Sequence, residues 1–228
     1  MLRFYAGLMI DLDGTMVDTM GDFIAVLHKC LEEMSLPSID PQAIAQMVGK
    51  GSEHLIRSTL AQVVPHWTEL SLQTQQQHYQ RAWSLYQTHY PLVNGKHSRV
   101  YPGVVEGLEQ LHATKTPMAC LTNKPLAFAL ALLETKGLRK YFQVVHGGDS
   151  FEQKKPHPAP LLGTCAAMQT QPERTLMVGD SSNDALAARA AGCPVALVRY
   201  GYNHGQDVAL TPHDFLIDSL EELLVLCK

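Results

Sequence analysis

Residues 8–10, Leu-Met-Ile, form a short apolar run that ends in Asp11 and Asp13, and an unbroken run of this length predicts a buried strand. From Met20 onward apolar residues fall at 20, 23, 24, 27, 31 and 34, the spacing of a helix with one buried face. Asp40-Pro41 reads as an N-cap followed by proline at the first helical position, opening a short helix that carries Ile44 and Met47. Gly49-Lys50-Gly51 breaks it, and Ser52 is placed to cap the next helix, with Leu55, Ile56 and Leu60 on its inner side. Beyond Pro65 a polar stretch leads into Tyr79, Trp83, Tyr86 and Tyr90 at roughly helical spacing, which a packed helix face explains better than a cofactor stack.

Residues 92–102 read as a linker with turn signals at Asn94-Gly95 and Pro102-Gly103, and the rhythm then changes. Strands are predicted at 118–121, 144–146, 176–178, 195–198 and 215–217. Helical patterns separate the first four: 126–136, stopped by Gly137; 159–168; and 183–191, stopped by Gly192. This alternation predicts βαβ units and a parallel sheet, so the expected fold class is α/β. Its first strand lies at residues 8–10, and an all-helical segment interrupts the core after it.

Composition narrows the function. The chain has 228 residues, 46% hydrophobic and 18% charged, the profile of a globular protein with a real core. Lys and Arg total 18 against 22 Asp and Glu, a formal charge of −4, which argues against a nucleic-acid partner. No apolar run approaches the ~20 residues needed to cross a bilayer. The opening residues 1–10 are too short in apolar core and too quickly acidic to read as a signal peptide. The five cysteines, at 30, 120, 165, 193 and 227, are scattered without a CxxC pair, so reduced thiols and a cytoplasmic location are expected.

Candidate chemistry collects at strand ends, where open α/β sheets bind ligands. Asp11-Leu12-Asp13-Gly14-Thr15 follows the first strand, and a carboxylate there can be a nucleophile, a metal ligand or an acid–base group. Thr122-Asn123-Lys124-Pro125 follows the next, offering a hydroxyl, an amide and the N–H groups of a helix start, an anion site. Gly179-Asp180-Ser181-Ser182-Asn183-Asp184 follows a third, with Asp180 placed to bind a cation and Asp184 to act from behind it. Lys154-Lys155-Pro156-His157-Pro158 lies between them and fixes a lysine near the sheet. Each segment alone has a plain structural explanation as a turn, a helix cap or a surface charge, but all of them follow strands of one sheet. Asp11, Asp13 and Asp180 make a hard oxygen site suited to Mg²⁺ rather than zinc. There is no GxxxxGK[ST] loop and no GxSxG elbow. A carboxylate nucleophile, a Mg²⁺ site, a hydroxyl, a lysine and a helix start suit phosphoryl transfer.

These four segments, in this order and at these strand ends, resemble the haloacid dehalogenase superfamily. The resemblance implies a Rossmann-like parallel-sheet core, residues 1–16 and 96–228, and an inserted α-helical cap with hinge segments, residues 17–95. Val48-Gly49-Lys50-Gly51, Tyr101-Pro102-Gly103-Val104, Gly147-Gly148-Asp149, Ala191-Gly192-Cys193-Pro194 and residues 200–205 are similar to the bacterial phosphoglycolate phosphatases within it. Met16 and Thr19 depart from the usual Leu and Ser, and Lys50 is a variable position. The implied roles are Asp11 as nucleophile and Asp13 as acid–base. Mg²⁺ would be bridged by Asp11, the Asp13 carbonyl and Asp180. Thr122, Asn123 and Lys155 would hold phosphate, with Asp184 orienting Lys155 or metal-bound water. Gly49, Lys50 and Gly51 of the cap would meet the substrate, a small phosphorylated metabolite. A sugar-phosphate phosphatase and a phosphoglucomutase-like transferase keep all four segments and stay open. A phosphonatase would need a cap lysine to form a Schiff base, for which Lys50 is weak support. A dehalogenase would lack Asp13, and a non-enzymatic phosphate binder would have a broken motif. Whether the chain is a monomer or a homodimer is left open.

Overall fold

The computed structural model describes residues 5–227, so the first four of the residues weighed as a leader lie outside it. Six strands form one parallel sheet in the order β5-β4-β1-β6-β7-β8: β1 Gly7–Ile10, β4 Met118–Leu121, β5 Val144–His146, β6 Thr175–Gly179, β7 Val195–Val198 and β8 Phe215–Ile217. Every residue of β1, β4, β6 and β7 is buried, which is why these strands read as unbroken apolar runs: a parallel sheet is covered on both faces. The period-two alternation divides them between two cores. Leu8 and Ile10 pack with Cys120, Val178 and Val198 beneath helix α5 (Val104–Ala113), whereas Met9, Ala119, Met177 and Leu197 meet α7 (Ala159–Met168) and α8 (Ser182–Ala191) on the other face. The register aligns Met9 with Ala119 on one side and Met177 on the other. Helix α6 (Leu126–Thr135) joins β4 to β5.

Helices α1 (Met20–Glu33), α2 (Pro41–Met47), α3 (Ser52–Val63) and α4 (Leu72–Val93) pack around a separate cluster that includes Phe23, Leu27, Ile44, Leu60, Tyr86 and Tyr90. The aromatic series of α4 is a packed face, with Tyr86 and Tyr90 fully buried and stacked at 4.8 Å. Asp40 caps α2 by accepting from Gln42 N at 2.8 Å. Ser52 is the first residue of α3 rather than its cap; Gly51, at φ +88°, takes that place because the chain enters the helix through a backbone conformation that only glycine adopts without strain.

Two features differ from the sequence expectation. The linker at 92–102 contains the end of α4 and a two-residue strand, β3 (Arg99–Val100), paired antiparallel with β2 (Val17–Asp18). This ribbon carries the chain out of the sheet and back. Asp22, fully buried at the start of α1, accepts from Gly95 N at 2.8 Å and His97 N at 2.7 Å and so ties the two crossings together. Helix α5 occupies a stretch for which no element is predicted above, although Val104, Val105, Leu108 and Leu111 carry helical spacing.

Candidate active site

The three central strands deliver one residue each to the same edge of the sheet: Thr122 after β4, Asp11 after β1 and Asp180 after β6. The ladder continues one residue past two of these strands, with Asp11 N donating to Val178 O at 2.9 Å and Thr122 N to His146 O at 3.0 Å. The two side chains are therefore positioned by the sheet itself. Gly14, at φ +82°, turns the chain back; a Cβ there would stand 2.3 Å from Asp180 Oδ2, so the glycine is needed for the approach of the two loops. Asp180 Oδ2 accepts from Tyr202 N at 2.7 Å.

Lys155 is buried behind this edge. Its Nζ lies 3.1 Å from Asp11 Oδ1 and 2.7 Å from Asp184 Oδ1, and donates to Leu121 O at 2.8 Å. Asp184 is held by the Ser181 hydroxyl at 2.9 Å, with its Oδ1 against the lysine. Burial pushes the Asp11 carboxyl up to about 7, against the pull of Lys155 and helped by Asp184. Burial, then repulsion from Asp184 and Asp11, drives Asp180 well above the usual carboxylate range. Burial works against the Lys155 ammonium, but Asp11 and Asp184 outweigh it and hold its pKa above the ordinary lysine value.

Asp13 faces a different cation. Lys124 Nζ lies 3.0 and 3.2 Å from its two oxygens and also donates to the Tyr90 hydroxyl. The same ammonium stands 4.8 Å from the Phe23 ring centre and 4.9 Å from that of Tyr90. The sequence alone assigns Lys124 no role. Its partners lie 111 and 34 residues away, and no local pattern announces them.

The Asn123 side chain is a clamp. Its Oδ1 accepts from Lys155 N at 3.0 Å, and its Nδ2 donates to Lys155 O at 2.9 Å and to Gly49 O at 3.0 Å. The expected open helix start beyond it is taken: Leu126 N, the first N–H of α6, donates to Asp149 Oδ1 at 2.8 Å, so a carboxylate of the protein already occupies the favourable end of the dipole. Gly49 and Gly51 line the pocket over the sheet edge together with Asp11, Asp13, Phe23, Val48, Ser52, Leu55, Thr122, Asn123 and Lys124. Lys50 is exposed and is not one of the lining residues: with the Gly49 carbonyl drawn inward by Asn123 and by Asn183 Nδ2 at 3.2 Å, the next side chain is left outside.

Carboxylate oxygens of Asp11, Asp180 and Asp184 lie within 4.8 Å of one another and are buried. Lys155 compensates Asp11 and Asp184, but among the described residues no lysine or arginine pairs with Asp180. An excess of buried, hard oxygen charge fits a divalent cation such as Mg²⁺. The Asp13 carboxylate is not in this group, being held by Lys124.

A family model described as haloacid dehalogenase-like hydrolase matches residues 8–198. The chain is 42% identical to a phosphoglycolate phosphatase of Nitrosospira multiformis, covering 94% of the chain and 92% of that relative. It is 38% identical to one of Nitrosococcus oceani, covering 98% and 96%. The crystal structure of a predicted phosphoglycolate phosphatase from Haemophilus somnus superposes with a TM-score of 0.91 at 30% identity over the whole of both chains. With the strand-end residues in place on a matching fold, the chain belongs to the haloacid dehalogenase-like hydrolases.

Proposed function

We propose that this phosphatase hydrolyses 2-phosphoglycolate to glycolate and phosphate through an aspartyl-phosphate intermediate. The observation that carries the reaction class is Asp11 at the end of the central strand, oriented through one oxygen by Leu12 N at 2.7 Å and Lys155 Nζ, with Asp13 facing the same pocket. The near-full-length similarity to phosphoglycolate phosphatases supports the substrate.

In this reading Asp11 Oδ2, which accepts no protein hydrogen bond among the described residues, attacks phosphorus in line as the bond to the leaving oxygen breaks. Asp13 gives a proton to the departing alkoxide, then takes one from the water that opens the acyl phosphate and regenerates Asp11. Thr122, the backbone at Asn123 and Lys155 hold the phosphoryl oxygens, with Asp184 fixing Lys155. Asp11, Asp180 and the Asp13 carbonyl would hold Mg²⁺, which when bound supplies charge neutralisation at the phosphoryl group. The helical unit of α1–α4 serves as a cap. Its Gly49 and Gly51 come close to the core, so a small substrate is enclosed and bulk water excluded.

The test is phosphate release from a panel of small phosphorylated acids and sugars, with Mg²⁺ and with a chelator. The expected result is Mg²⁺-dependent turnover with 2-phosphoglycolate preferred. Preference for a hexose phosphate, or release unaffected by chelation, would overturn the reading.

A further inference from the structure

Resting on that reading, we infer that Lys124 is the residue that recognises the substrate's carboxylate, with Tyr90 holding its ammonium in place. In 2-phosphoglycolate the carboxylate is joined to the leaving oxygen through a single methylene. The acid–base group must stand about 3 Å from that oxygen. A cation that reads the carboxylate must therefore lie beside Asp13, and Lys124 Nζ is 3.0 Å from Asp13 Oδ1.

Among the described residues Lys124 is the one cation that lines the pocket. Lys155 is turned to Asp11 and Asp184, and the side chains of Lys50 and Lys154 are exposed. Phe23, Val48 and Leu55 make up the apolar part of the lining, so a carboxylate entering there has Lys124 as its positive partner. An ammonium carries three donors. Both Asp13 oxygens and the Tyr90 hydroxyl accept from it, so a substrate carboxylate is drawn by the ammonium's charge and takes over the N–H now on Asp13 Oδ2, at 3.2 Å the longer of the two Asp13 contacts. Lys124 is only 4% exposed, and burying a lysine is costly unless its charge is used. The fully buried Tyr90 restricts the ammonium from the cap side, fixing where a carboxylate can sit.

Lys124 could instead serve only to orient Asp13. The two roles separate when 2-phosphoglycolate is compared with ethyl phosphate, which replaces the carboxylate by a methyl group. Loss of Asp13 positioning lowers kcat/KM for both substrates by one factor. Loss of carboxylate recognition adds a loss on 2-phosphoglycolate alone, about ten- to hundredfold for a hydrogen bond between charged groups. Lys124→Met should therefore erase most of the wild-type preference, mainly through KM, and Tyr90→Phe should reduce it in the same direction. Lys50→Ala and Lys154→Ala should keep it. If thermal melting shows that Lys124→Met does not fold, Lys124→Gln, which keeps a hydrogen bond to Asp13 without the charge, carries the same comparison. Equal losses on both substrates, or loss of the preference in Lys154→Ala instead, would overturn the assignment. A wild-type protein with no preference for 2-phosphoglycolate over ethyl phosphate would overturn the substrate reading itself, which distinguishes the two failures.

Discussion

The amide of Asn123 lies 3.0 Å from the carbonyl oxygen of Gly49 and joins the loop after β4 to the turn between α2 and α3. Asn183, at the start of α8, donates to the same oxygen at 3.2 Å. Two core amides thus converge on one carbonyl of the helical unit, at a glycine whose φ of +101° an L side chain rarely adopts. Asn123 has a second duty, because the same side chain also binds both backbone groups of Lys155.

The two asparagines should therefore fail differently. Asn183→Ala removes one donor to Gly49 and is expected to raise KM by roughly two- to tenfold, the effect of losing a hydrogen bond worth about 0.5–1.5 kcal/mol, with kcat nearly preserved. Asn123→Ala also frees the Lys155 loop, so kcat should fall as well, and stability should drop by about 1–3 kcal/mol as buried partners lose their bonds. Steady-state kinetics and denaturant melts on both variants check this. Identical KM-only effects would mean that the hold of Asn123 on Lys155 has no catalytic consequence.

Asp11→Asn keeps the shape of the site and removes the attacking charge. Turnover should fall by at least about three orders of magnitude, on the scale of deleting a catalytic group. The fold should survive, since Leu12 N retains an oxygen acceptor and Lys155 keeps Asp184 at 2.7 Å. Phosphate release from 2-phosphoglycolate and from p-nitrophenyl phosphate is the measurement, and near wild-type rates in a clean preparation would sink the covalent mechanism.

Why does the sequence already place Asp11, Thr122 and Asp180 at strand ends? Each directly follows a strand buried on both faces, and such strands are unbroken apolar runs, so the position of a residue in the chain already places it at the sheet edge. Lys124 sits in an equally visible loop, but its meaning lies in Asp13 and in Tyr90 on α4, contacts that only tertiary packing creates. Lys50 shows the converse. Its flanking glycines mark a turn correctly, yet which way the side chain between them points depends on Asn123 and Asn183 pulling the Gly49 carbonyl inward. The ribbon of β2 and β3 has two residues per strand, too short for any alternation to register. In the sequence Asp149 is only one residue of a Gly-Gly-Asp segment, whereas in the fold its carboxylate closes the start of α6, a long-range cap with no fixed sequence spacing.

The carboxylates at positions 13 and 180 should separate in their metal dependence. Asp13→Ala removes a side chain held by Lys124 at 3.0 Å and not grouped with the other buried carboxylates, so kcat should fall while the Mg²⁺ concentration for half-maximal activity changes little. Asp180→Ala removes one oxygen donor from the buried trio and should raise that concentration by tenfold or more, an order-of-magnitude expectation for losing a carboxylate ligand. A Mg²⁺ titration of both variants decides; equal metal dependence would show that the division of labour between them is wrong.

Mg²⁺ should stabilise the protein more at high pH than at low. Burial raises the Asp11 carboxyl to about 7, and burial with repulsion from Asp184 and Asp11 also raises Asp180 well above the usual carboxylate range. Both groups therefore hold a proton more tightly folded than unfolded, where an aspartate titrates at about 4. In the metal-free protein their contribution to stability is fully present below that unfolded value and is lost as the pH rises through about 7, because the folded state must then carry two more buried charges, of which Lys155 pairs with that of Asp11 alone. A divalent cation reverses the balance by favouring the ionised carboxylates, and at one hundred times its Kd a ligand adds about 2.7 kcal/mol. The shift in melting temperature on adding Mg²⁺ should thus be small at pH 5 and several degrees at pH 8, and should shrink at pH 8 in Asp180→Ala. Thermal melts with and without Mg²⁺ across this range measure it. A shift that is larger at pH 5, or unchanged by Asp180→Ala, would remove these carboxylates as the metal's ligands.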